Sequence, residues 1–162
     1  MINWSQQPRD VANLFNPAFM GELARRTGTG YRGESGVGIP TVLVFLAAPL
    51  AFYPDARRTL NHRNYRSLHT WVVENPEVRI SLARRVSALS PHVRLGLAFA
   101  LAHRTLAIED DGTILVLPRR RRSGPLPEIE SRDFFSSAEK IGRLFARVQQ
   151  PFNIFLTLGL EP

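Results

Sequence analysis

The stretch SPHVRLGLAFALAHRTLAIEDDGTILVL, residues 90–117, decides the fold class. Ser90 suits a helix N-cap and Pro91 the first helical position, where a missing N–H removes no intrahelical bond. Val93, Leu95, Leu97, Phe99 and Leu101, with alanines between them, make the segment to about His103 apolar nearly all round. Such a helix is predicted to be the central buried element. Thr105–Ile108 and Thr113–Leu117 are short β-prone runs joined by EDDG, and Asp111-Gly112 is a strong hairpin turn signal. A hairpin is therefore expected over 105–117.

Upstream, Val78, Leu82, Val86 and Leu89 lie on one helical face, so 77–89 is expected to form its own helix. Two helices followed by a hairpin is the order of a winged-helix unit. The tip residues Glu109, Asp110 and Asp111 would repel a phosphate backbone, and the helix offers Leu, Phe and Ala where base edges need polar groups. Both features favour a structural or protein-binding role over sequence-specific DNA reading.

Further towards the amino terminus, Pro8 and Pro17 sit at helix-start positions. Asn16 is placed as N-cap of a helix running to about Thr27, with Gly28 as its C′ residue. Five glycines between 28 and 38 predict a loop, because glycine at that density forfeits much backbone entropy in a helix. The apolar run Thr41–Tyr53 reads as a buried helix bent at Pro49, with a strand as the alternative. Pro54 and Asp55 break it, and a polar stretch leads to a helix with the stripe Leu68, Trp71 and Val72, ending before Pro76.

Downstream, PRRRRSGPLP (118–127) has the composition of an exposed connector. Ser136 and Glu139 have capping-box spacing. Ile141, Leu144, Phe145 and Val148 form the best amphipathic face in the chain. A last helical turn from Pro151 is expected to end at Gly159. The fold class is thus mostly α (α+β), one domain over 1–162. It comprises a helical core over about 8–117, the linker 118–127 and a C-terminal helical segment over 131–162.

Composition narrows function. The absence of cysteine excludes disulfides, thiol nucleophiles and Cys-based zinc sites. His62, His69, His92 and His103 form no metal-binding pair, and no GxSxG elbow accompanies the serines. Gly28-x-Gly30-x-x-Gly33 matches a dinucleotide fingerprint only formally, since a helix rather than a strand precedes it, and Gly33-x4-Gly38 lacks the P-loop lysine. No cofactor, metal or catalytic residue is expected, and the chain reads as non-enzymatic. The run Val42–Tyr53 is too short to span a bilayer, which needs about 20 residues. The polar start MINWSQQPRD carries no secretion signal, so a cytoplasmic location without membrane attachment is expected.

Net charge is +7, yet Arg119, Arg120, Arg121 and Arg122 are consecutive, and +3 remains without them. These four are the candidate contact residues. They suit a solvated connector, an acidic protein surface, or weak, salt-dependent, sequence-independent phosphate binding.

Several motifs recur together in order: NPAF (Asn16–Phe19), the glycine-rich stretch leading into Ile39–Phe52, Trp71 before Asn75-Pro76, LAIEDDGTILVL, and the closing AEKIGRLFARVQQPFNIFLTLGLEP. In that layout the chain resembles the middle components of three-component ABC systems, related to Lamassu-type antiphage defence, over nearly its whole length. The resemblance implies an SMC-like ABC ATPase partner and an effector, usually a nuclease, with this subunit as the adaptor between them and a non-specific DNA contact open to it within the complex. It transfers no catalytic residues. A free-standing winged-helix DNA-binding regulator is the rival reading.

Overall fold

A computed structural model describes residues 15–118 and 129–161. Helix α1 (Pro17–Ser35) starts as its sequence dictates. The Asn16 side chain accepts a hydrogen bond from the Ala18 N–H at 2.8 Å, and Pro17 opens the first turn. It does not stop at Gly28. The helix runs through Gly28, Gly30 and Gly33 and ends at Gly36, whose φ of 76° is the left-handed cap that glycine adopts without strain. The expected loop over the first part of 28–38 is therefore helix.

The reason is close packing. Helix α6 (Ile129–Ala146) lies against α1 and runs in the same direction, with Phe19 meeting Phe135 near the helix starts and Glu34 meeting Arg147 near the ends. At the crossing a Cβ on Gly30 would fall on the Glu139 carbonyl, and one on Gly142 would fall on the Thr27 carbonyl. A second such contact joins α1 to α5 (Leu82–Ala102), where a Cβ on Gly21 would sit 2.8 Å from the Gly96 carbonyl oxygen. Each helical glycine costs about 1 kcal/mol relative to alanine. The dispersion contacts of two backbones in direct apposition offset it.

After Gly36 the chain forms β1 (Ile39–Pro40), a strand the sequence did not advertise. It pairs antiparallel with β3 (Thr113–Val116), which pairs in turn with β2 (Leu106–Ile108), giving the order β1-β3-β2. The hairpin lies where expected, and Gly112 takes φ 80° at its turn. Thr41 ties β1 to that turn through its N–H and hydroxyl, both donating to the Gly112 carbonyl.

Helix α2 (Thr41–Phe52) is the buried helix that the apolar run predicts, with Pro49 inside it. Leu43, Leu46, Ala47, Leu50 and Ala51 are fully inaccessible or nearly so. Its C-terminal carbonyls meet cations. Arg57 donates to Ala51 and Phe52, and Arg85 donates to Pro49, Val78 and Ile80. Cations complement the negative end of a helix dipole and satisfy orphan carbonyls.

Pro54 does not merely end α2. It opens α3 (Pro54–His62), so the polar stretch with Arg57, Arg58 and His62 is an amphipathic helix that buries Ala56 and Leu60. Helix α4 (Leu68–Glu74) follows as predicted, capped by Ser67. Its fully buried Trp71 donates from Nε1 to Thr59 at 3.0 Å.

Residues 76–102 depart from expectation. Pro76–Arg79 is a 3₁₀ turn, and α5 is one continuous helix with Pro91 inside it, so the helix pair of a winged-helix unit is a single helix here. Pro91 and Ser87, whose carbonyl loses its usual donor, are both exposed, so solvent reaches the gap. Ser90 does not cap: its hydroxyl donates back to the Val86 carbonyl at 2.7 Å. Nor is α5 buried all round. It buries Leu82, Val93, Gly96, Leu97 and Ala100, while Leu95 is 44% exposed.

Helix α6 begins before the capping-box pair Ser136 and Glu139, which therefore sit in its interior. Its apolar face is as read, with Ile141, Leu144 and Phe145 buried. Helix α7 (Pro151–Leu158) ends at Gly159 with φ 71° and packs on α4. One contiguous core unites these elements, and Phe19, Phe52, Phe134 and Phe135 form an aromatic cluster at the α1–α6 start.

The glycines separate by role, which sets a test. Gly30→Ala and Gly142→Ala are each expected to destabilise the protein by about 3 kcal/mol, because backbone rather than a flexible side chain must move. Gly33→Ala meets nothing within 4 Å inside the same helix and is expected to stabilise it by about 0.5–1 kcal/mol. Urea unfolding of the three variants checks the opposite signs.

Candidate interaction surface

The four arginines singled out by sequence, Arg119–Arg122, and nearly all of the linker 118–127 lie outside the described residues, as does Pro8. The structure brings another set of cations together. With Ile141, Gly142, Leu144 and Phe145 turned inward, the helical period places Arg132, Ser136, Lys140, Arg143 and Arg147 along the opposite side of α6. Spacings of four, four, three and four residues keep them on one stripe, about 22 Å long at 1.5 Å per residue.

Two neighbouring clefts open along this stripe and share Lys140 and Arg143. The first, of 330 Å³, is lined by Arg26 of α1 and by Arg132, Phe135, Ser136 and Glu139 of α6. The second, of 250 Å³, adds Glu34, Leu60, Arg63, Tyr65, Leu144 and Arg147. Each cleft thus sets four cations against one carboxylate.

Carboxylates fix these cations in place. Glu139 pairs with Arg143 at 2.5 Å and reaches Arg26 at 3.6 Å, while Arg26 also pairs with Glu22 at 3.0 Å. Arg147 grips Glu34 with two nitrogens, at 2.8 and 3.2 Å, and donates to the carbonyls of Tyr65 and Arg66. The hydrogen bond from Arg147 holds the Glu34 carboxyl below its ordinary pKa, and the same bond raises that of Arg147. Lys140, the only lysine, donates to the Leu60 carbonyl at 2.7 Å. Burial, and then the charge of Arg143, lowers its pKa.

Asp111, His103 and His92, away from the stripe, make local structural contacts. Asp111 accepts from the Thr113 N–H at 2.9 Å and hydroxyl at 2.7 Å, fixing the hairpin turn. His103 Nδ1 lies 2.8 Å from the Phe99 carbonyl, and His92 stacks on Phe15. Among the described residues no three His, Asp or Glu side chains are grouped to hold a metal ion. No helix among them is long and apolar enough to cross a membrane. The α4–α7 side instead exposes apolar side chains: Val73 is 63%, Phe152 52% and Leu156 56% accessible.

The α6 stripe was within reach of the sequence. In AEKIGRLFAR the period that places Ile141 and Phe145 inward also places Lys140, Arg143 and Arg147 outward. What the sequence did not reveal is that Arg26, Arg63 and Glu34 join from α1 and the α3–α4 connection.

By its fold the chain is a mostly α protein with a small three-stranded antiparallel sheet. Residues 4–162 match the family described as ABC-three component (ABC-3C) system Middle Component 3, and the chain belongs to that family. No curated protein and no solved structure matches it.

The Glu34–Arg147 pair provides a pH test. A carboxyl whose pKa is lower folded than unfolded stabilises the fold above its unfolded pKa, and the contribution fades as pH falls through the folded value. Glu34→Gln is expected to cost up to about 1 kcal/mol at pH 7, the ceiling for a partly exposed pair, and less at pH 3. Urea midpoints of both proteins at the two pH values measure the difference.

Proposed function

We infer that this chain is a non-enzymatic adaptor, holding an SMC-like ABC ATPase and an effector, a nuclease in the simplest arrangement, in one antiphage or anti-plasmid defence complex of the Lamassu type. In this reading it docks on the ATPase head and helps keep the effector inactive until DNA is sensed, in the cytoplasm. The observation that carries it is the match to a middle component across residues 4–162, which makes the body described above the component itself. Two surface properties support a connecting role: the cation-lined clefts along α6, and the exposed apolar side chains of α4 and α7. An adaptor needs two contact regions, and these differ in chemistry. The reading gives Asp111, His103 and the Glu22, Glu34 and Glu139 carboxylates no catalytic role, only the structural bonds described above.

Co-expression of the chain with the ATPase and effector subunits of its system is expected to give a complex that survives tandem affinity purification, and one that dissociates when this chain is omitted. An ATPase and effector that assemble without it, while it elutes alone, would defeat the reading. Sequence-selective DNA binding by the isolated chain, persistent across a salt series and with Arg119–Arg122 replaced, would favour the free-standing regulator instead.

A further inference from the structure

We propose that the outward stripe of α6 is the seat of an acidic, helical segment of a partner subunit, whose carboxylates enter the two clefts that share Lys140 and Arg143. This rests on the adaptor reading and adds to it the place of contact and the chemistry of the partner.

Charge and period carry the inference together. Arg132, Lys140, Arg143 and Arg147 recur at helical spacing on one line, so a second helix with Asp or Glu at i, i+4 and i+7 or i+8 presents its carboxylates at matching intervals. The two clefts together hold six cations, Lys140 and Arg143 being shared, against Glu34 and Glu139, and a positive excess remains after Arg26 pairs with Glu22 and Arg63 with Glu74. A guanidinium carries five N–H groups: Arg143 spends one on Glu139, whereas Arg147 spends four, on Glu34 and on the Tyr65 and Arg66 carbonyls, so the spare donors lie towards Arg143. Those pairs also hold the side chains in position beforehand, which lowers the entropy lost on binding. Lys140 is the least comfortable cation of the set, pressed by burial and by Arg143, and a carboxylate in either cleft would relieve it.

The surroundings favour a protein segment over nucleic acid. Phe135 floors the first cleft, and Leu60 and Leu144 floor the second, all at most 8% exposed. An apolar floor suits the methylenes of Glu and of flanking apolar residues, whereas phosphates gain nothing from it.

The test uses the full chain in its complex. A photo-reactive benzoylphenylalanine replaces Ser136, an exposed position on the stripe between Arg132 and Lys140, and the protein is co-expressed with the ATPase and effector subunits. Irradiation is expected to join position 136 to a segment of one of them rich in Asp and Glu. R132E/R143E is expected to reduce recovered complex by on the order of tenfold. A melt followed by circular dichroism checks that the variant is folded, and Arg132→Glu alone serves if the double variant is not.

Wild-type recovery of the complex with the charge-reversed stripe overturns the inference and leaves the adaptor reading standing. So does a crosslink to DNA or to a segment without carboxylates. A wild-type chain that joins neither subunit overturns both.

Discussion

The contact on which the structure depends is the backbone-to-backbone approach of α1 and α6 at Gly30 and Gly142. Interhelical distances are ordinarily set by the side chains between the axes. Here two glycines remove them at the point of crossing, and the Glu139 and Thr27 carbonyls take the space. Because Gly21 and Gly96 do the same between α1 and α5, helix α1 is locked on two sides by surfaces that cannot be repacked by rotamer changes. Thr27, fully buried beside the crossing, has its hydroxyl satisfied by the Leu23 carbonyl, so the joint holds no orphaned hydroxyl there.

A second regularity is the use of arginine. Arg57 and Arg85 satisfy carbonyls at the end of α2 and cover the rings of Phe134 and Tyr53, with the guanidinium carbon 4.0 and 4.2 Å from the ring centres. Arg147 ties two backbone carbonyls to Glu34. A high arginine content reads from composition as an affinity for phosphate. Much of it is spent inside this fold on helix ends, aromatic faces and carboxylates, where a planar fork of donors serves better than an ammonium group.

The legible parts of the chain are those whose signals are local. Asn16-Pro17, the apolar run before Pro54, Asp111-Gly112 and Gly159 each act through their own backbone preference, and each lies where its chemistry puts it. The misread parts are those where a tertiary contact overrides a local preference. Gly28, Gly30 and Gly33 look like loop residues because glycine weakens an isolated helix, and the compensation at Gly30 lies more than a hundred residues away in the Glu139 carbonyl. Ser90-Pro91 looks like a helix start, yet burial of Leu82 on one side and Val93 and Leu97 on the other carries the helix across it. Strand β1 is two residues long and is defined by its partner β3 rather than by any pattern of its own.

The same joint that obscured the fold in the sequence shapes the surface. Since Gly142 and Ile141 must face α1 and the core, the register of α6 is fixed, and with it the outward line of Arg132, Lys140, Arg143 and Arg147. Arg26 and Glu34 reach that line because α1 lies beside α6 and runs the same way, so that Arg26 meets Glu139 at 3.6 Å and Arg147 meets Glu34 at 2.8 Å. The cation clefts are therefore a consequence of the glycine crossing. A substitution that widened the crossing would disperse the charges while leaving every charged residue in place.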